Sequence, residues 1–465
     1  MRRMARIRFQ VLVAAAVVAA AIAARCAAQT SAADPVARMQ ELVQSYAKST
    51  VLQNEFMGSV LVAEGDKVLL NQGYGSANLE WGMPNAPDTK FRLGSLTKQF
   101  TAASILLLEE RGKLSTDDLV KKYVPDAPAA WDKMTIYEVL THTAGIPNFT
   151  SFPDYRTNEW EDAKPVELVA RFKDKPLDFE PGTEFRYSNS GYVLLGYILE
   201  KVAGEPYAKF VQENLFAPLG MADTGVDRNV TVLPKRAQGY EPHTGGPKIA
   251  GYINMTIPFS AGSLYSTTGD LLKWEQGLFG GKLLTAASLK KMTTPFHNNY
   301  ACGLEIMTFL GHKEIMHGGG IEGFSTSLAY FPDEKSGPVT VVVLSNAQSN
   351  VDQIAQNLAR VMFGMPVKLP RTAMPTEVTL TEKQLQDFAG TYQLTPNFAI
   401  TFMVEKGQLI SQATAQGKVP LFAESESKFF AKVVDAEIEF SRDASGKVVS
   451  MTLYQNGNEI KGPKN

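Results

Sequence analysis

At Ser95-Leu-Thr-Lys98 an extended run, Phe91-Arg92-Leu93-Gly94, gives way to a helical one, Gln99 to Arg111. A Ser at a helix start and a Lys three residues on share a face, one turn apart. The amine is then within reach of the hydroxyl. A hydroxyl is a poor nucleophile until a base removes its proton. Lys serves as that base only if its pKa is pulled down, by burial or by the positive end of the helix dipole. The placement suits covalent acyl transfer.

The four-letter pattern is cheap, and context has to sort it. S-x-x-K also occurs at Ser45-Lys48, Ser288-Lys291 and Ser425-Lys428. Ser45 and Ser288 lie in polar amphipathic stretches, and Ser425 lies in a charged loop. Only Ser95 has an apolar lead-in, a preceding Gly and a strongly apolar helix after it (Ala102, Ala103, Ile105, Leu106, Leu107, Leu108). Ser is also a common N-cap, and the two roles are compatible.

The chain has 465 residues, enough for two or three domains and an ample core. Arg2, Arg3, Arg6 and Arg8 lead an apolar, Ala-rich stretch from Val11 to Ala24, followed by the small residues Cys26-Ala27-Ala28. This reads as a secretory signal peptide over residues 1–28, too short and Ala-rich for a stable membrane span. Arg25 before Cys26 is wrong for a lipid-attachment site. Cleavage removes five Arg and no acid, leaving 41 basic against 48 acidic residues, a net of −7. Such a surface does not favour nucleic acid. The destination is periplasmic or secreted. Only Cys302 survives, so no internal disulfide forms, and the thiol reads as a small buried hydrophobe. The five His show no metal-ligand spacing, and no metal or cofactor is called for.

Residues 35–50 read as a leading helix. Gly58 to Gly75 reads as a β-hairpin turning at Glu64-Gly65-Asp66. Residues 113–300 are mostly helices and loops with frequent Pro and Gly. Met316 to Asn346 turns strongly β, with runs at Phe324 to Phe331 and Val339 to Leu344, and an amphipathic helix follows from Val351 to Phe363. The fold class is therefore α/β (α+β). An antiparallel sheet built from both ends is flanked by helices, with an inserted all-helical lobe and a site in the cleft between. Pro366, Pro370 and Pro375 mark a linker over 365–377. Residues 378–465 carry short alternating runs: Ala399 to Glu405, Gln408 to Ser411, Lys428 to Val434, Glu437 to Ser441 and Val448 to Tyr454. They read as a small antiparallel β-domain, barrel-like. The hydrolytic unit spans 35–364.

A Ser–Lys pair needs a proton donor for the leaving group and donors for the oxyanion. Tyr187-Ser188-Asn189 follows a Glu180-Pro181-Gly182-Thr183 turn and precedes an apolar helix. A loop tip aimed at a cleft is where functional side chains gather. The Tyr187 phenol, its pKa lowered by a nearby Lys ammonium, would shuttle protons. Asn189 would bond Lys98 or a substrate carbonyl. Y-x-N recurs at Tyr252 and Tyr454, so this signal too is weak alone. His317-Gly318-Gly319-Gly320 begins a strand; its glycines let substrate backbone lie close and leave N–H groups free. The N–H of Gly320 and that of Ser95 would form an oxyanion hole. His243-Thr244-Gly245 competes, but sits between Pro242 and Pro247 with no strand after it.

In this order the three pieces resemble the serine β-lactamase-like family, which groups class C β-lactamases, D,D-peptidases, D-aminopeptidases and related esterases. Leu140-Thr141-His142-Thr143-Ala144-Gly145-Ile146-Pro147, Pro218-Leu219-Gly220-Met221, Ala261-Gly262-Ser263-Leu264 and Gly323-Phe324-Ser325 match as well, so the likeness spans about residues 40–362. It implies Ser95 as nucleophile, Lys98 as its partner, and Tyr187 and Asn189 as the Tyr-x-Asn element. His317-Gly318-Gly319 takes the place of Lys-Thr-Gly, lining the substrate, and His142 becomes structural. The tail resembles the lipocalin-like β-domain often attached to this family. One departure matters: a His, mostly neutral near pH 7, replaces a fixed cation that grips a substrate carboxylate, and the Thr hydroxyl is lost to Gly318. An efficient β-lactamase is not expected, and no dedicated Glu for the deacylating water is evident. The expectation is an exported serine hydrolase acting through an acyl-enzyme on esters, small amides or D-amino-acid peptides. The alternative is a penicillin-binding sensor or cell-wall binding protein that is acylated with little turnover. Neither reading involves nucleic acid or a membrane span after signal cleavage, and the oligomeric state stays open.

Overall fold

The computed structural model describes residues 34–49, 55–243, 246–433, 436–455 and 458–465. The signal peptide expected over residues 1–28 lies outside them, as do Thr244 and Gly245 of the competing triplet.

The first sheet has six antiparallel strands. β1 (Gly58–Glu64) and β2 (Lys67–Tyr74) form the expected hairpin. β3 (Glu305–Phe309), β4 (His312–Ile321), β5 (Phe324–Phe331) and β6 (Val339–Ser345) complete it in the order β3-β4-β5-β6-β1-β2. Both ends of the chain thus share one sheet, with β1 paired to β6 from Gly58↔Ser345 to Glu64↔Val339. Both faces of these central strands are covered. Val60, Val62, Val341 and Val343 pack under α1 (Pro35–Ala47) and the long helix Val351–Met362. Leu61, Ala63, Val342 and Leu344 face the helical lobe. Burial on two sides explains why β1 and β6 read as unbroken apolar runs although the sheet is antiparallel.

The lobe centres on α2 (Thr97–Glu110). Every residue from Thr97 to Leu108 is buried, so α2 is an interior helix, enclosed all round rather than on one stripe. Beside it runs α3 (Asn189–Ala203), capped by Gly204 in the left-handed region. The lobe also holds short strands, such as Phe91–Arg92 paired with Leu264–Ser266. The extended lead-in to Ser95 is therefore only two residues long. Leu93 is already helical, and Gly94 turns at φ +54° into a 3-10 turn over Gly94–Leu96. We label the Val351–Met362 helix α4.

Beyond the linker an eight-stranded antiparallel sheet runs in sequence order from Gly390–Thr395 to Asn458–Pro463. Tyr392 bridges Lys464, and the Asn465 N–H donates to the Thr391 carbonyl at 2.9 Å, so the first and last strands meet and the sheet closes into a barrel. Its interior is filled by Phe388, Tyr392, Phe402, Phe429 and Phe440 in edge-on and tilted contact.

Candidate active site

Ser95 sits at the N-terminal turn of the interior helix, and Lys98 follows one turn later. The Lys98 side chain is 0% exposed. Its Nζ lies 3.0 Å from Ser95 Oγ, 2.8 Å from Asn189 Oδ1 and 2.9 Å from the Ala261 carbonyl. No carboxylate pairs with it, and burial drives its pKa well below the usual Lys value. A neutral amine has two N–H bonds and one lone pair. Asn189 Oδ1 and the Ala261 carbonyl can only accept, so they take both hydrogens. The lone pair is left facing the Ser95 hydroxyl. Asn189 is held in turn, its amide donating to Thr150 Oγ1 at 3.1 Å and its backbone N–H to Asn148 Oδ1 at 3.1 Å.

Tyr187 lies directly before α3, and its ring covers Lys98 at 4.8 Å from Nζ to centroid. Its hydroxyl bonds toward Ser95. The sequence reading expected an ammonium to lower the phenol's pKa. The structure corrects this: burial raises it, and the Ser95 contact offsets only part of the rise. With Lys98 itself desolvated, no stable ammonium is there to stabilise a phenolate. The His142 ring lies 4.3 Å from that of Tyr187, tilted at 41°, and its Nδ1 accepts the Ser188 N–H at 3.2 Å, which fixes the turn carrying the phenol.

The His317-Gly318-Gly319-Gly320 segment lies within β4, beside the Ser95 turn. His317 is 3% exposed, and both ring nitrogens are engaged: Nδ1 with the Gly318 carbonyl at 2.6 Å, Nε2 with the Tyr300 hydroxyl at 3.1 Å. A carbonyl only accepts, so Nδ1 carries the hydrogen. Burial, with Lys98 nearby, lowers its pKa to about 4. His317 is thus a neutral, saturated group rather than a donor offered to substrate. The three glycines differ. A Cβ on Gly319 would fall 2.0 Å from the Leu93 carbonyl oxygen, whereas one on Gly320 would meet nothing within 4 Å. Only Gly319 is demanded by close approach. Gly94, in its left-handed turn, packs on the Gly320 backbone, which brings the Ser95 and Gly320 peptides together.

The cleft extends from Ser95 in two directions. One arm, of about 460 Å³, is lined by Tyr187, Glu305, His317, Gly318 and Asp352 among others. The other, of about 160 Å³, is lined by Asn189, Phe149, Tyr155, Ile253 and Ile321 among others. All the sequence-selected residues converge here: Ser95, Lys98, Tyr187, Asn189, His317, Gly318, Gly319 and Gly320. Tyr300, Glu305, Asp352 and the Ala261 carbonyl were not foreseen. Among the described residues no group of three His, Cys, Asp or Glu side chains is placed to hold a metal ion. No helix of the described residues is long and apolar enough to cross a membrane.

Comparison with known proteins gives a consistent picture. The family described as Beta-lactamase matches residues 39–362, and a family described only as a domain of unknown function matches residues 374–463. A penicillin-binding protein of Bacillus subtilis (strain 168) is 29% identical over 435 residues, covering 88% of this chain and 94% of that protein. Among solved structures, the octameric penicillin-binding protein homologue from Pyrococcus abyssi superimposes with a TM-score of 0.64 at 25% identity, over 92% of this chain and 100% of that one. A D-stereospecific amidohydrolase from Streptomyces sp. gives a TM-score of 0.57 at 25% identity, over 70% of this chain and 97% of that one.

Proposed function

Since this chain belongs to the beta-lactamase family of serine hydrolases, we propose that it cleaves esters or small amides, D-amino-acid peptides included, through an acyl-enzyme on Ser95. The observation that carries this is the 3.0 Å approach of a desolvated Lys98 amine to Ser95 Oγ, with its other two contacts limited to acceptors. Neutral Lys98 takes the Ser95 proton as Oγ attacks the carbonyl. The N–H groups of Ser95 and Gly320 receive the oxyanion. Tyr187, a neutral phenol, gives its proton to the departing atom, and the resulting phenolate takes up the proton held on the adjoining Lys98. Water then reverses the sequence and frees the acid. Asn189 orients Lys98, while Gly318 and Gly319 provide the backbone edge along which substrate lies, supported by His317. The amide and D-stereospecific part of the substrate range is supported by the amidohydrolase relative.

A neutral His317 offers no fixed cation to a substrate carboxylate, so β-lactams are expected to be poor substrates. A second reading is favoured by the raised pKa of Tyr187. A phenol that resists ionisation supplies little phenolate to act as base on the deacylating water, which suits a protein that is acylated and turns over slowly. Mass spectrometry after β-lactam treatment separates the two: a long-lived adduct on Ser95 favours the sensor, a transient ester adduct the hydrolase. We further assign residues 1–28 as an export signal, giving a periplasmic or secreted protein, residues 35–364 as the hydrolase domain, 365–377 as linker and 378–465 as the β-domain. The decisive test is Ser95→Ala assayed on a p-nitrophenyl ester. Loss of turnover is expected, and unchanged turnover overturns the mechanism.

A further inference from the structure

The larger arm of the cleft ends in carboxyl groups. Strand β3 pairs with β4 from Glu305↔Met316 to Phe309↔His312 and ends there, so β4 presents a free edge from His317 onward. Glu305 stands at that end and lines the arm. Gly318 and Gly320 put no side chain in the way, so the arm continues past the sheet edge to the first turn of α4. There Asp352 opens on it, and a Cβ on Gly318 would lie 3.6 Å from the Asp352 carboxylate. Glu314 is a third member, 4% exposed and turned toward both acids.

No cation answers these charges. Among the described residues Glu305, Glu314 and Asp352 take part in no ion pair, although 24 ion pairs occur elsewhere. The Glu314 carboxyl meets no hydrogen-bond donor there either. Ser327, opposite Gly318 on β5 and 0% exposed, leans its hydroxyl on Asp352 and lowers that acid's pKa, a contact short of full hydrogen-bond geometry, and the hydroxyl has no other partner among the described residues. Buried polar groups are ordinarily satisfied, so a hydroxyl this enclosed beside acids with no cationic partner marks a missing partner. Burial holds all three acids above their usual pKa, Glu314 at about 7; repulsion adds to the rise at Glu305 and Glu314, while the Ser327 hydroxyl offsets part of it at Asp352. A cation entering the arm would relieve both penalties. The three do not form a group placed to hold a metal ion, which leaves an organic cation.

The arm also has a chemical direction. Tyr187 lines it and does not line the smaller arm, where Asn189 lies instead. On the acyl-enzyme reading above, on which this inference rests, the group that Tyr187 protonates departs on the Tyr187 side. We propose that this arm is the leaving-group subsite and that it takes a leaving group bearing a positively charged nitrogen, an ammonium or quaternary ammonium, held by Glu305 and Asp352 with Glu314 behind them. The side that meets a carboxylate through Lys-Thr-Gly in the resembling family is here inverted in charge.

Two isosteric ester pairs test this. Acetylcholine is compared with 3,3-dimethylbutyl acetate, and the acetate of 4-(trimethylammonio)butanol with 5,5-dimethylhexyl acetate. Each pair differs only by a quaternary nitrogen in place of a carbon. The expected preference in kcat/KM for the charged member is roughly tenfold, the worth of one hydrogen bond or contact to a charged group. A ratio of threefold or more in either pair supports the subsite, and less than threefold in both overturns it. In the Glu305→Gln, Asp352→Asn double variant the ratio falls toward one; an unchanged ratio also overturns it. If that variant does not fold, the wild-type ratios decide. Ser95→Ala keeps the two claims apart. Loss of neutral-ester hydrolysis without any charge preference in the wild type sinks only the subsite, whereas neutral-ester turnover that survives Ser95→Ala sinks the acyl-enzyme.

Discussion

The Lys98 pKa is pulled down because its surroundings withhold what an ammonium needs. Among the described residues the amine meets no carboxylate; it is enclosed by two neutral acceptors, the Ser95 hydroxyl and two aromatic faces, Tyr187 at 4.8 Å and Tyr192 at 5.6 Å. Replacing it by Met keeps the volume and removes the base, so kcat should fall by about 10²–10⁴-fold while KM for a neutral ester moves little; a KM effect alone, read from initial rates, would contradict the base role. The same enclosed setting shapes His317. Its folded pKa of about 4 lies below the unfolded value of 6.5. The unfolded chain therefore binds more protons between those values, and stability present above pH 6.5 is lost as pH falls through 6.5 toward 4. For one group the loss approaches about 3 kcal/mol. His142 shifts the same way through burial. Urea midpoints at pH 7.5, 5.5 and 4.5 should converge for wild type and His317→Gln at low pH; parallel curves would show that His317 does not titrate in this window. Ser95, Lys98, Tyr187 and Asn189 were legible because each pair is local to one turn or loop. Tyr300, Glu305 and Asp352 were not. They reach the cleft through tertiary pairing, and nothing within a few residues of them marks it.

At the scale of elements, long apolar segments were easy to read and short or interrupted ones were not. The hairpin, α2, β5, β6 and α4 came out within a few residues of their bounds. Glu305–Phe309 was missed because two of its five residues are polar and a helical middle was expected to run up to it. In the barrel Lys418–Ala423 was missed because Pro420 interrupts it, yet Pro420 pairs with Ile410 inside the sheet. Gly390–Thr395 and Asn458–Pro463 begin or end on Gly or Pro and were not among the alternating runs. The glycine run of β4 was legible as a need for space, but its division of labour was not. A Cβ 2.0 Å from the Leu93 carbonyl cannot be absorbed by backbone held in two elements at once. Gly319→Ala should cost about 1–3 kcal/mol as overpacking and displace the Ser95 turn with it. Gly320→Ala, facing open space, should leave the melting temperature almost unchanged. Thermal unfolding of the pair checks this, and equal losses would mean that the β4 to Ser95-turn contact is looser than its geometry.

The whole chain joins a two-sided sheet domain to a filled barrel, and the cleft draws on the first alone. Every residue lining either arm lies between Gly94 and Asp352. The Pro-marked segment between the sheet domain and the barrel meets the barrel through the side chains of Lys368, Arg371 and Glu377, and meets the hydrolase side through the Arg371 carbonyl. Arg371 Nε bonds Glu437 Oε1 at 2.5 Å, and its second terminal nitrogen lies 3.1 Å from Glu424 Oε2. Its carbonyl accepts the Ser49 hydroxyl at 2.7 Å, just after α1. Glu437 is nearly buried on the barrel wall. Burial alone would raise its pKa, but bonds from Lys428 and Arg371 bring it below the usual carboxylate range. Removing the Arg371 side chain leaves an enclosed carboxylate with Lys428 at 2.9 Å and Lys368 at 3.8 Å as its remaining partners. Discounting a full buried-pair loss for the partial exposure of Lys428, Arg371→Ala should destabilise the barrel by about 2 kcal/mol. Because the cleft takes nothing from the barrel, p-nitrophenyl ester turnover at 25 °C should be retained. Calorimetry should then resolve an early barrel transition ahead of the hydrolase domain, with proteolytic cutting rising between residues 365 and 377. A single transition that moves as one, with activity lost in step, would instead mean that barrel and hydrolase unfold as one cooperative unit coupled through Arg371.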